Sequence, residues 1–423
     1  MPGPRLAVVG GGWAGLAAAV EGTLRGAQVT VFEMAPQLGG RAREVQIDGL
    51  ALDNGQHILI GAYVQTLQLL RTVGVDTARA FVRTPLRIGD ASGNGLYLPG
   101  GPPLLAFARA VLGRHGWRAG DKAALLTHAA CWALRGFRCD PALTVDGLTR
   151  GMPAALREDL IDPLCVAALN TPALEASAAV FLRVLKDALF SGAGSADLLL
   201  PRVSLGELLP APAARWLSLH AARVMVGHRV QHIDADAAGC RIDGEAFDAA
   251  VLACSSVEAA RLSATVAPSW SAQAAAVQHE PIVTLYARSA AARLPEPMLS
   301  LRSSPDAPAQ FVFDRGQLGG PAGLLAFVIS GAQPWVDAGS DATIAATLRQ
   351  GSAELAPHLP APLQALRLVT EKRATFRCTP GHVRVPMAIA PRLCAAADYV
   401  QGPYPATLEG AVRSGIAAAR GLV

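Results

Sequence analysis

The apolar and polar positions open with a β-branched-rich run over residues 5–9. A helical periodicity over 13–25 and a second apolar run over 28–32 follow. Gly26 stands where a left-handed C-cap ends a helix. Strand, helix and strand within about thirty residues make a βαβ unit. A helix-rich stretch over 63–190 comes next, with apolar residues at helical spacing in 63–73, 104–112, 122–134 and 178–189. Alternation then returns. Segments 229–233 and 240–242 read as hairpin strands, 249–253 as a buried parallel strand, and 283–288 and 324–330 as strands of a second sheet. An alanine-rich helix over 406–420 closes the chain, an ordinary last element of a doubly wound sheet.

Composition narrows the class. Apolar residues make up 51% of the 423 and charged residues 17%, which predicts a large buried interior rather than disorder. A net charge of +4 is too small for a dedicated nucleic-acid binder. Seven cysteines without a C-x-x-C pair or His/Cys ligand spacing predict free thiols, with no metal site and no disulfide framework. Neither a charged and apolar leader nor a run of about 18 apolar residues is visible, so the expected location is cytoplasmic or on the cytoplasmic membrane face.

The first βαβ unit carries chemistry. Gly10-Gly11-Gly12-Trp13-Ala14-Gly15 is a G-x-G-x-x-G loop between strand and helix. Its first glycine permits the tight turn, its second lets backbone approach a pyrophosphate, and its third allows close helix–strand packing. Free N–H groups and the helix dipole then face the phosphates. Glu33 ends the second strand eighteen residues after Gly15, where a carboxylate accepts bonds from ribose hydroxyls. Gly39-Gly40-Arg41 follows: two glycines for close backbone approach and a planar donor fork suited to phosphate.

The stretch Gln37-Leu38-Gly39-Gly40-Arg41-Ala42 resembles the L-G-G-R segment of the amine oxidase and phytoene desaturase flavoproteins. Leu52-Asp53-Asn54-Gly55-Gln56-His57-Ile58-Leu59-Ile60-Gly61-Ala62-Tyr63 resembles the hydroxysqualene dehydroxylase family, also described as squalene-associated FAD-dependent desaturases. So do Ala168-Leu169-Asn170-Thr171-Pro172, the 181–187 and 371–376 stretches and the closing 405–415 segment. The resemblance implies an α/β fold: a Rossmann-type FAD-binding domain from 1–75, 220–265 and 370–423, and a discontinuous α+β substrate domain from 76–219 and 266–369. It implies FAD as cofactor, with contacts at Gly10, Gly12, Trp13, Ala14, Gly15, Glu33, Met34, Gly39, Gly40, Arg41, Gly55, Gln56 and His57. Val230, Asp398, Ala406 and Thr407 complete the set. Where the family has a Gly-Asp pair near the C-terminus, this chain has Ala397-Asp398, a turn that requires negative φ at Ala397.

The reaction so implied removes the hydroxyl of hydroxysqualene to give squalene, in bacterial hopanoid or related triterpene synthesis. A hydride donor and a proton for the leaving oxygen are both required. His57, Asp53, Gln56 and Lys372 are the catalytic candidates. For His57 a role bonding the flavin ring stands beside proton transfer, for Asp53 turn capping, and for Lys372 a surface position. Asn170 and Thr171 fit either a substrate wall or a cap before Pro172. The same fold also hosts desaturases and oxidases of other polyenes, and a non-catalytic flavin- or lipid-binding partner of a squalene synthase-like enzyme is a third reading. No second G-x-G-x-x-G follows a strand, so electrons are expected from an external donor, NADPH or a reductase. Residues 102–138 mix Leu, Phe and Trp with five arginines, as core helices with a solvated face or a peripheral membrane contact would.

Overall fold

The computed structural model describes residues 3–47 and 49–423. Strands Arg223–Val226, Gln28–Glu33, Arg5–Val9, Ala249–Leu252 and Leu393–Ala395 lie side by side in a parallel sheet, with Ala388–Ala390 added antiparallel at one edge. The central strands are apolar on both faces, as a sheet covered on both sides must be. Helices Trp13–Leu24 and Leu408–Leu422 pack on one face and on each other. Their approach depends on Gly415, where a Cβ would sit 2.1 Å from the Ala14 carbonyl oxygen. Gly26 takes the positive φ expected after the first helix (+86°).

A second sheet is wholly antiparallel, in the order Met298–Ser300, Phe311–Asp314, Leu324–Ile329, His279–Arg288, Gln364–Phe376. Along His279–Arg288 the alternation is strict in the middle. Val283, Leu285 and Ala287 enter one core, while Ile282 and Tyr286 face another on the opposite side. Helices Pro103–Gly113, Ala119–Leu134, Asp162–Leu169 and Ala178–Phe190 form the third mass, around a core of Phe107, Leu125, Trp132, Phe181 and Leu185.

Two expectations shift. The hairpin begins at Ile233 rather than 229: Ile233–Ala235, Cys240–Ile242 and Glu245–Phe247 form a small sheet, and 229–232 runs irregular beneath it. Residues 370–376, expected with the nucleotide portion, instead end the thirteen-residue strand Gln364–Phe376 of the second sheet. As an edge strand with mostly exposed side chains, it lacks a clear apolar alternation. No helix among the described residues is long and apolar enough to cross a membrane.

Candidate functional site

A cavity of about 660 Å³ runs from the first βαβ unit, past the second sheet, into the helical mass. The glycines at its head divide by what a Cβ would meet there. Gly10 has φ +113° and a Cβ would fall 2.4 Å from the Ala253 carbonyl oxygen. At Gly15 it would fall 1.9 Å from the Gly10 carbonyl oxygen, so both glycines serve the packing of strand and helix. Gly12 differs. Its backbone is extended (φ −76°, ψ −178°), and the nearest atom to a Cβ there is 3.7 Å away. The space beside Gly12 is kept for something other than protein. Gly39 donates its N–H to the Gly11 carbonyl (2.8 Å), and Gly40 lies across from Gly12 with φ +61°.

Polar groups ring this head. One oxygen of Glu33 accepts from the Gly11 N–H and the other from the Ala35 N–H, each at 2.7 Å. Its carboxylate is thus fixed at the end of its strand, on the cavity wall. Arg41 donates to Asp398 (2.6 Å) and to the Ala374 carbonyl (2.7 Å), joining the Gly-Gly-Arg loop to the C-terminal turn. Ala397 is not among the residues with positive φ, so alanine is accommodated in that turn. Thr407 caps helix Leu408–Leu422 by accepting from the Gly410 N–H (3.0 Å), and the N-terminus of that helix faces the cavity.

Of the cofactor contacts expected from sequence, Gly10, Gly12, Trp13, Ala14, Glu33, Met34, Gly39, Gly40, Arg41, Gly55, Gln56, His57, Val230, Asp398, Ala406 and Thr407 all line this one cavity. Gly15 does not; it lies behind the loop, against Gly10.

The catalytic candidates fare differently. Asp53 is buried outside the cavity wall, where its carboxylate accepts from the Leu205 N–H (2.8 Å) with Arg315 at 3.9 Å. It caps the start of another segment, at Leu205. Lys372 is exposed and also off the wall, whereas Val369 and Glu371, two positions apart on the other face of Gln364–Phe376, line the cavity. Gln56 lies on the wall but is tied at both ends, accepting from Arg315 (3.1 Å) and donating to the Tyr286 hydroxyl (3.2 Å). That hydroxyl donates in turn to the Asp53 carbonyl (2.9 Å). His57 Nδ1 lies 3.3 Å from the Gly55 carbonyl. A carbonyl only accepts, so the proton sits on Nδ1 and Nε2 is left as an acceptor. Burial, with Arg41 adding to it, pushes the His57 pKa below the usual histidine value. At neutral pH this ring holds a proton toward the protein, not toward the cavity.

Burial also pushes the Asp53 carboxyl up to about 6, against the opposing Leu205 N–H and Arg315. The folded chain therefore keeps a proton that the unfolded chain releases near pH 4. The stability linked to it is present below pH 4 and is lost as pH rises through 6. Asp53→Asn keeps an acceptor for Leu205 and removes this loss. We expect the variant to gain on the wild type by roughly 2–3 kcal/mol between pH 4 and pH 8. Thermal unfolding of both proteins across that range is the check, and parallel pH curves would refute the assignment.

Other wall residues escaped the sequence reading. Thr284 projects between Ile282 and Tyr286, and its hydroxyl is buried without a protein partner. Ser256, near the nucleotide end, is in the same state. Asn54 donates to Glu371 (3.0 Å), and His279 joins the group around Arg41 and Asp398. Period-two alternation would have marked Thr284 as the polar member of an apolar strand face. Glu371 and Asn54 lie 317 positions apart and left no local signal. Unpartnered hydroxyls on the wall, with the open side of Gly12, fit a bound dinucleotide. Glu33 would take its ribose, and Gly12 and the helix N-termini its diphosphate.

Comparison with known proteins agrees with this geometry. The model of the flavin containing amine oxidoreductase family matches residues 13–423. The chain is 28% identical to the hydroxysqualene dehydroxylase of Rhodopseudomonas palustris, over 97% of this chain and 96% of that one. With that of Sinorhizobium fredii it shares 26% over the same proportions. Among solved structures, cyclohexylamine oxidase from Brevibacterium oxydans superposes with a TM-score of 0.70 at 17% identity, covering 100% of this chain and 99% of that one. A putative protoporphyrinogen oxidase from Exiguobacterium gives 0.68 at 16% identity, with the same coverage. The fold, the cavity head and the family model converge: the chain belongs to the flavin containing amine oxidoreductase family and is an FAD-dependent oxidoreductase.

Proposed function

We propose that this enzyme removes the hydroxyl of hydroxysqualene reductively, giving squalene. The observation that carries the reading is the wall beyond the polar head. Phe107, Leu125, Trp132, Leu164, Leu185 and Phe190 from the helices meet Met298, Phe311, Phe313 and Val328 from the second sheet. A long hydrocarbon gains from such a surface in proportion to the area it removes from water, and a small polar amine does not. The similarity to dehydroxylases along nearly the whole chain supports the same substrate class.

In the overall change a C–O bond breaks, a C–H bond forms and the hydroxyl leaves as water after taking one proton. Reduced flavin, when bound, supplies the hydride with its two electrons. The chain holds the substrate's apolar length against the helices and excludes bulk water from the reacting carbon. Thr284 is our candidate for the group that meets the leaving oxygen, since its hydroxyl has no other partner. Gln56 is a positioning residue, fixed between Arg315 and Tyr286. We place the electron supply with an external donor.

The test is anaerobic. Holoenzyme reduced with dithionite and given hydroxysqualene is expected to yield squalene, one per flavin reoxidised. Oxidised enzyme that instead inserts double bonds into a polyene, with no turnover in the reductive assay, would make the protein a desaturase and overturn the proposal.

A further inference from the structure

Helices Pro103–Gly113 and Ala119–Leu134 form a hairpin, joined near the turn by the Lys122 ammonium donating to the Leu112 carbonyl (2.7 Å). Its open end is located by one ring. Phe190 packs on Phe107 (centroids 5.7 Å apart) and on Phe137 (5.2 Å), so the first helix's N-terminal half lies beside the residues that follow the second helix. All three phenylalanines line the apolar part of the cavity.

The outer side of the same end is unusual for a water-facing surface. Leu104, Leu105 and Leu134 are 68, 56 and 88% exposed, and Leu112 is 60% exposed further along. Leu105, Arg109 and Leu112, spaced by four and three, share one helix face. Arg109, Arg135 and Arg138 are exposed among these leucines. About half of the arginines elsewhere in the chain meet a carboxylate, and among the described residues no ion pair involves a basic residue of 102–138. Asp121, the one carboxylate within 102–138, accepts from the Arg118 N–H (3.0 Å), and Asp140, just beyond, accepts from the Ala142 N–H of its own turn.

We propose that this hairpin end is the docking surface for an anionic phospholipid bilayer, with the leucines entering the headgroup boundary and the arginines meeting lipid phosphates. Charge complementarity selects that occupant. Unpaired guanidinium groups form bidentate bonds to phosphate, and exposed leucines alone would not distinguish a bilayer from a protein partner. The cavity lies one helix thickness behind the surface, about 10 Å. A lipid substrate would then pass between Phe107, Phe137 and Phe190 without crossing water. This entry route rests on the lipid-substrate reading above; the docking surface does not.

The experiment is sedimentation of the holoenzyme with vesicles of phosphatidylcholine and phosphatidylglycerol in equal parts, against pure phosphatidylcholine. The wild type is expected to pellet with the mixed vesicles at low salt and to be released by salt. Each arginine near the surface is worth roughly fivefold in partition, so Arg109→Gln with Arg135→Gln and Arg138→Gln should cost about 100-fold. Leu104→Ser with Leu105→Ser and Leu134→Ser should abolish binding, yet leave turnover of detergent-dispersed substrate unchanged. Wild type that stays in the supernatant at low salt, or leucine variants that pellet like the wild type, would overturn the proposal. So would leucine variants that only convert a dimer to a monomer. Vesicle binding without turnover of hydroxysqualene would leave the surface standing and remove the entry route with the substrate reading.

Discussion

Gly12→Val is expected to give a folded protein that purifies without flavin. Its φ and ψ lie in the extended region that β-branched residues favour, and a Cβ there meets nothing closer than 3.7 Å. The added methyl groups therefore go into the cavity, where the backbone would approach the diphosphate of a bound FAD. Overpacking of about 1–3 kcal/mol and the lost N–H contacts should weaken FAD binding by roughly 100-fold or more. Circular dichroism and gel filtration should match the wild type, while flavin absorbance of the purified protein falls to near zero. Gly15→Ala is the contrasting variant, because its Cβ overlaps the Gly10 carbonyl and the folding of the βαβ unit itself is affected. Wild-type flavin content in Gly12→Val would mean that the diphosphate lies elsewhere.

That contrast shows what a sequence makes legible. The G-x-G-x-x-G loop, Glu33 and the Gly-Gly-Arg segment are local devices whose meaning depends on a few adjacent dihedral angles. The residues assigned to cofactor contact accordingly fall on one wall, except Gly15. Catalytic assignments depend on where side chains point after distant segments meet. Asp53 shares a segment with Gln56 and His57, yet its direction is set by the N–H of Leu205, 152 positions away. Lys372 takes the surface position of its two readings, a single step of the pleat from Glu371 on the cavity wall. The tautomer that turns His57 into an acceptor follows from one carbonyl position, which no spacing rule supplies. Helices were legible where one face is apolar; strand Gln364–Phe376 was not, because an exposed edge lacks that signal.

Asn170 is where we expect the largest loss of stability from a single uncharged substitution. It is the left-handed C-cap of helix Asp162–Leu169 (φ 47°, ψ 30°), not a cap before Pro172. It lines the cavity, but its amide is spent on protein. It donates to the Glu280 and Pro281 carbonyls (3.1 and 3.3 Å) and to the Thr375 hydroxyl (3.0 Å), and it accepts from the Gly331 N–H (2.7 Å). One side chain thus ties a helix end to two strands of the second sheet and to the bend that follows a third, at the point where helices and sheet enclose the cavity. Asn170→Ala adds about 1 kcal/mol of left-handed strain. It also leaves the Gly331 N–H without its acceptor, at about 1–3 kcal/mol, for a total of roughly 3–5 kcal/mol with the lost donor bonds. Asn170→Gly removes the same bonds without the strain, so it should be the more stable of the two variants by about 1 kcal/mol. Denaturant unfolding of the three proteins measures both differences. A midpoint for Asn170→Ala within error of the wild type would show that the clamp does not hold helix and sheet together. Equal midpoints for the two variants would show that the left-handed backbone carries no strain.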